Sequence, residues 1–375
     1  MSEKRIVITS LLKPVNDTRL YEKLALSLNK LEGANVHIAA YQAPAPEQLP
    51  PGIFLHPIFS FKRLSLGRAA AQIKFFRFLL QVKPQLIIVS THELLLVSYT
   101  YCKFHNCRMV YDIRENYALN LRTQHIYSGS IKQLLAFGVE QAEQLTAPAV
   151  SHFLVAERSY VQELPFLSNR FTVLENKYQP DKGYHTPATP VLLPQDTLKL
   201  LYTGTISEVY GIFEAVALAD MLWQTKRNIH LTIIGYCARQ ETYHKLQLAI
   251  QNKPYITLIG GNRLVPHSQI IEQIRMADLG LLPYRPNEST FRCIPTKIYE
   301  YAAHALPFLI QANPYWQALV ERYNAGLAID FRAAEAEGLL LQLMQSSFYK
   351  NGIPEEVFWQ QEEEKLLKAI APLLK

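Results

Sequence analysis

Lys297 and Glu300 stand three residues apart, a spacing that sets both side chains on one face of a helix. A cation that can meet phosphate oxygens beside a carboxylate that can accept from sugar hydroxyls is the pairing a nucleotide-sugar would require. An ordinary surface ion pair has the same spacing. The pair sits in residues 284–310, Y-R-P-N-E-S-T-F-R-C-I-P-T-K-I-Y-E-Y-A-A-H-A-L-P-F-L-I, which also carries Arg292 and Thr296. A second group with chemistry lies in the first half: Thr91-His92-Glu93 and Arg114-Glu115-Asn116-Tyr117. There Arg114 could hold phosphate oxygens or position an acceptor, and arginine does not deprotonate, so proton transfer is not its work. A lone His92 is more often a hydrogen-bonded structural residue than a catalytic one.

The elements around these residues decide whether they can meet a ligand. Residues 277–283 form an apolar run ending in Pro283, read as a short buried strand. Residues 294–305 read as a helix entered through Pro295, and 307–310 as the next strand. A strand, a polar loop and a helix N-terminus leave backbone N–H groups free for an anion. In the first half, 86–90 and 109–113 read as strands, and the polar groups above are their tails. In an open parallel sheet, ligands sit at the carboxyl ends of strands.

Further strands are expected at 5–10, 34–40, 53–58, 152–156 and 171–174, with helices at 19–31, capped by Asp17 or Thr18, and at 66–82. No G-x-G-x-x-G follows the first strand, which lowers the weight of dehydrogenase-like chemistry. Residues 180–194 carry four prolines and Gly183 and read as a linker. A second series then alternates: strands at 198–202, 229–234, 256–259 and 326–330, helices at 210–222, 241–251, 266–276 and 333–343, and a tail helix from 354. This is an α/β chain of two parallel-sheet, Rossmann-like domains. The expected division is 1–179, a linker at 180–197, 198–352, and a terminal segment at 353–375.

The chain has 375 residues, 49% hydrophobic and 19% charged, which suits two globular cores rather than disorder. Its formal charge of +6 and sequence pI of 8.9 suit a polyanionic ligand or an anionic membrane surface. No nucleic-acid motif is visible. Four scattered cysteines, Cys102, Cys107, Cys237 and Cys293, give no metal spacing and fit a reducing cytoplasm. The start carries no segment of signal-peptide type, and no run of 18 apolar residues occurs. Between Phe61 and Lys83 lie Lys62, Arg63, Arg68, Lys74 and Arg77 with no acidic residue. That stretch reads either as a basic, aromatic-edged helix on anionic lipid or as a crossover helix with a solvated basic face. The expected location is the cytoplasm, including the inner face of its membrane.

Four stretches then carry a resemblance: D-T-R-L at 17–20, V-Y-D-I-R-E-N-Y at 110–117, L-Y-T-G-T-I-S-E-V-Y-G at 201–211 and P-T-K-I-Y-E-Y-A-A-H-A-L-P at 295–307. In this order the chain resembles the retaining GT-B glycosyltransferases of the group-one, or family-four, type. The resemblance implies a nucleoside-diphosphate sugar as co-substrate on the C-terminal domain and a saccharide or lipid-linked acceptor on the N-terminal one. It implies no metal, no other cofactor, and a C-terminal helix that crosses back to the first domain. Glu300 matches the glutamate that meets the nucleotide ribose, and Lys297 a lysine placed for the pyrophosphate. Departures are equally plain. Arg292 stands where a first glutamate is usual, Cys293-Ile294-Pro295 replace a small glycine loop, and Thr205 and Tyr210 occupy the places of an arginine and a lysine. The expected catalytic cations are therefore Arg114, Arg292 and Lys297. Gly204, Thr205, Arg263, Thr296, Lys297 and Glu300 are the expected donor residues, and Asp17, Arg19, His92 and Glu115 the acceptor residues. A non-catalytic sugar-nucleotide binder or scaffold in a glycan-assembly complex is the alternative, and a nucleotide-sugar epimerase a third.

Overall fold

The computed structural model describes residues 3–46, 48–61, 65–123, 129–225, 228–285 and 287–374. Two compact units divide the chain: Met1–Gln179 with Trp359–Lys375, and Pro180–Phe358.

The first unit is built on seven strands: β1 (Lys4–Pro14), β2 (Ala34–Tyr41), β3 (Ile53–Phe59), β4 (Leu86–Val89), β5 (Arg108–Ile113), β6 (Val150–Val155) and β7 (Phe171–Val173). Their order is β3-β2-β1-β4-β5-β6-β7 and every pairing is parallel. A parallel sheet is covered on both faces, which is why Ile6, Ile8, Leu86, Ile88 and Val110 are fully buried. The strand expected at 5–10 runs on to Pro14, so β1 carries the loop that holds Asp17.

The helix expected over 19–31 is shorter and of another kind. Residues Thr18–Ala25 wind as wide π-helical turns, and Leu26–Leu28 close them as one α-helical turn. The wide turn sets Arg19 and Lys23 on the inner side, where they meet Asp112 and Asn176. The Gly67–Val82 helix buries Ala71, Phe75, Phe78 and Leu79. Its aromatic face therefore packs inward as a crossover helix does, while Lys62 and Arg63 lie outside the described residues.

The second unit repeats the plan with β8 (Thr197–Thr205), β9 (Asn228–Tyr236), β10 (Ile256–Gly261), β11 (Leu279–Leu282), β12 (Phe308–Gln311) and β13 (Gly326–Ile329). Their order is β10-β9-β8-β11-β12-β13, again with parallel pairings. Strand order turns back between β8 and β11, where the loop and helix of residues 284–303 follow. That is the switch point at which open α/β sheets bind ligands.

After the second unit the chain returns to the first. A turn at Glu355–Val357 precedes the Gln360–Ile370 helix, which is shorter than the one expected from 354 onward. Trp359, Leu366 and Ile370 are fully buried in the core cluster of Ile6, Leu20, Leu24 and Val36. The Trp359 indole donates to Ser27 Oγ at 3.0 Å. Buried Glu362 accepts from Lys177 Nζ at 3.0 Å, Lys365 Nζ at 2.7 Å and the Glu175 amide at 3.0 Å. Replacing Trp359 by alanine is expected to cost about 3–5 kcal/mol, with a matching fall in the urea midpoint of the first unit. An unchanged midpoint would show that the terminal segment is not part of that core.

Candidate functional site

In the second unit, Lys297 and Glu300 are brought together as their spacing implies. Lys297 Nζ meets Glu300 Oε2 at 2.5 Å, and both side chains are nearly buried. They lie on the Thr296–Ala303 helix, which Pro295 precedes as the capping residue rather than as its first turn. Tyr301 fixes that helix. Its ring lies against Gly280, where a Cβ would come within 2.5 Å, and its hydroxyl pairs with Thr203 Oγ1 at 2.9 Å. The result is that Lys297 Cε stands 3.4 Å from where a Cβ on Gly204 would be.

Gly204, the last residue but one of β8, has φ +104°, a backbone that side chains rarely adopt. In register beside it are Gly235 and Gly260, at the ends of β9 and β10. A Cβ on Gly235 would lie 1.7 Å from the Gly204 carbonyl oxygen. The three adjacent strand ends therefore present bare backbone, so a ligand can approach it closely.

Burial alone would push the Glu300 carboxyl up, but Lys297 and His267 outweigh it and hold Glu300 well below the usual carboxylate range. His267 Nε2 lies 3.6 Å from Glu300 Oε1, beyond hydrogen-bond length. His267 is a residue that sequence reasoning missed, since nothing in its spacing ties it to Glu300. The ionised carboxylate can accept from hydroxyls. Lys297, beside free N–H groups of the helix, can meet a diphosphate.

The other expected donor residues are placed differently. Thr205 is exposed, and its carbonyl accepts from the Tyr202 hydroxyl at 3.0 Å, which fixes the loop. Arg263 and Arg292 are exposed, and neither has an ion pair among the described residues. The Arg292 loop is itself braced. The Asn313 amide donates to the Phe291 carbonyl at 2.8 Å, and the Trp316 indole donates to the Cys293 carbonyl at 2.8 Å.

In the first unit the D-T-R-L segment is resolved into two buried pairs. Asp17 caps the wide turn, accepting from the Arg19 and Leu20 amides at 3.1 Å, and pairs with Arg114 through two bonds of 2.8 and 3.2 Å. Burial raises the Asp17 carboxyl, yet Arg114 outweighs it and the group sits below its ordinary value. Arg19, expected to face an acceptor, faces inward instead. Its side chain is 1% exposed, bonded to Asp112 at 2.6 Å and to the Leu174 carbonyl at 3.0 Å. Each of its three nitrogens is occupied, so Arg19 positions the loop.

His92 and Glu115 line a cavity of about 750 Å³ with Lys13, Tyr41, Arg68 and Tyr117. Burial pushes the His92 imidazole below its usual value, so it is neutral near pH 7. Its ring stacks at a tilt on Tyr117, 4.7 Å between centroids, and Tyr117 donates to the Ser90 carbonyl at 3.0 Å. Glu93 is ion-paired with Arg68, and its Oε2 lies 3.6 Å from His92 Nδ1. Aromatic faces with a few convergent polar groups suit a sugar ring and its hydroxyls.

Comparison with known proteins falls in line with this geometry. The family model described as "Glycosyl transferases group 1" matches residues 189–352. The matched residues lie within the second unit. The whole chain has the GT-B fold. It is similar to sucrose-phosphate synthase from Thermosynechococcus elongatus at 14% identity and TM-score 0.68, covering 99% of this chain and 96% of that one. It is also similar to HepE from Anabaena, solved with UDP and glucose, at 12% identity and TM-score 0.67, covering 99% and 100%. For a glycosyltransferase from Rickettsia africae the values are 12%, 0.64, 99% and 99%. No curated protein sequence matches. Among the described residues no cluster of three or more His, Cys, Asp or Glu could hold a metal, and no helix is long and apolar enough to cross a membrane.

Because the folded Glu300 carboxyl is held low, its pair with Lys297 contributes stability that is complete above the unfolded value of about 4.3. That contribution is lost as pH falls from there through the folded value. Urea titrations at stepped pH are expected to show less acid destabilisation of the second unit in Glu300→Gln than in wild type. Parallel curves would show that the pair is not maintained in solution.

Proposed function

We propose that this protein transfers a sugar from a nucleoside-diphosphate donor to a saccharide or lipid-linked acceptor, with retention of anomeric configuration. The proposed setting is cell-surface polysaccharide synthesis at the cytoplasmic face of a membrane. The observation that carries this reading is the Lys297–Glu300 pair held against the glycine end of β8. Similar structures support it: HepE was solved with UDP-glucose, and WaaG, at 15% identity, is a glycosyltransferase involved in lipopolysaccharide biosynthesis.

In this reading Glu300 accepts from the donor ribose, while the bare ends of β8, β9 and β10 admit the nucleotide. Breaking the bond between the sugar anomeric carbon and the diphosphate oxygen builds negative charge on the departing group. Lys297, Arg292, Arg263 and the amides at Thr205 and Thr296 meet that charge without a metal or another cofactor. The new bond forms from an acceptor hydroxyl to the same carbon. With retention the hydroxyl approaches on the face the diphosphate leaves, so its proton passes to a departing phosphate oxygen. The cavity of His92 and Glu115 takes the acceptor, while the Asp17–Arg114 pair fixes the loop after β1. A non-catalytic sugar-nucleotide binder is favoured by one observation, the exposed Thr205 and the Tyr210 ring standing where cations are usual.

Release of nucleotide from a panel of UDP-, GDP- and dTDP-sugars, with and without saccharide acceptors, separates the two. Turnover with at least one donor is expected, falling by roughly 10²–10³ in Lys297→Ala and also in Glu300→Ala. Nucleotide binding with no turnover of any donor would establish the binder instead. The anomeric configuration of the product, read by NMR, tests retention.

A further inference from the structure

The Gly129–Thr146 helix is amphipathic in the inverted sense. Its buried positions are Ala136, Val139, Glu143 and Thr146, small or polar for the most part. Its large apolar side chains point away: Leu134 is 70% exposed, Leu145 63%, Phe137 55% and Ile131 52%. At about 100° per residue these four fall within roughly 120° of one another, on the side opposite the buried set. So broad an apolar stripe facing outward has no role in the core of the first unit.

Two neighbouring helices widen that face. The Leu95–Phe104 helix packs between Gly67–Val82 and Gly129–Thr146, and it exposes Leu96 and Phe104. Charge on this layer is one-sided. Gly67–Val82 and Leu95–Phe104 carry Lys74, Arg77 and Lys103 with no acidic residue, while Arg68 is taken up by its pair with Glu93. The third helix carries Lys132 and two carboxylates that are already occupied. Glu140 is paired with Arg122 at 2.6 Å, and buried Glu143 accepts from the Tyr111 hydroxyl at 2.7 Å. Among the described residues the layer therefore offers apolar side chains and positive charge together.

We infer that this three-helix face, led by Ile131, Leu134, Phe137 and Leu145, seats the first unit on an anionic lipid surface. Apolar side chains enter the acyl boundary while lysines and arginines meet phosphate headgroups, the arrangement of interfacial helices. A second copy of the chain fits less well, because a two-fold interface would set this basic layer against itself. The inference rests on the proposed work at a membrane and gives the apolar part of the contact to the helix at 129–146, because Phe75 and Phe78 of the Gly67–Val82 helix are buried.

Co-sedimentation of the full chain with vesicles of phosphatidylcholine, alone and mixed with phosphatidylglycerol, tests it. Binding is expected to the anionic vesicles, to weaken with salt, and to fall at least about tenfold in a Leu134→Glu, Phe137→Glu double variant. Leu248→Glu, equally exposed in the second unit, is expected to bind as wild type does. Donor hydrolysis in solution, measured in parallel, reports on the sugar-transfer reading separately. Failure of wild type to bind, or full binding by the double variant, overturns the inference. So does a wild-type dimer in sedimentation velocity that the double variant dissolves, since the face would then be covered by a second copy.

Discussion

A strand covered by helices on both faces has only its ends left for polar chemistry. Both sheets of this protein are under that constraint, and everything that could bind or react follows from it. In the second sheet the carboxyl ends of β8, β9 and β10 are stripped to glycine, and the helix after β11 brings Lys297 and Glu300 beside them. In the first sheet the ends of β1, β4 and β5 carry Asp17, His92, Arg114 and Glu115. The interior between is aliphatic, so these groups have no alternative place to settle.

Buried charge pairs then fix the loops that the strands merely start. Arg19 with Asp112, and Arg114 with Asp17, tie the segment after β1 to the end of β5. Pairs of this kind contribute little net stability, because removing two ions from water costs about what their attraction returns. Breaking one is costly, however, since the partner stays behind unpaired. Their effect is selective: the loop after β1 has one low-energy arrangement, with every guanidinium nitrogen of Arg19 occupied. The Lys177–Glu362–Lys365 group does the same for the terminal helix.

Much of this was legible in the residues. Continuous β-branched runs marked the strands, and the three-residue spacing placed Lys297 over Glu300. The register that aligns Gly204, Gly235 and Gly260 was not legible. Long-range partners stayed hidden for a physical reason. Whether Arg19 points at solvent or at Asp112 depends on a wide helical turn, and local propensity does not distinguish that turn from an ordinary helix. His267 meets Glu300 only through the packing of two helices. The Gly129–Thr146 helix was not expected, and its large side chains face outward while the residues it buries are mostly small or polar.

The first unit is interrupted: it begins the chain, yet the tryptophan that closes its core lies beyond the whole of the second unit. On the ribosome the sheet of seven strands is made early and waits, with Leu20, Leu24 and Val36 lacking their cover, while some 180 further residues emerge. Its last stretch of core is made only after the whole of the second unit. A chain stopped within the second unit lacks Trp359, Leu366 and Ile370 and leaves the apolar surface they cover exposed.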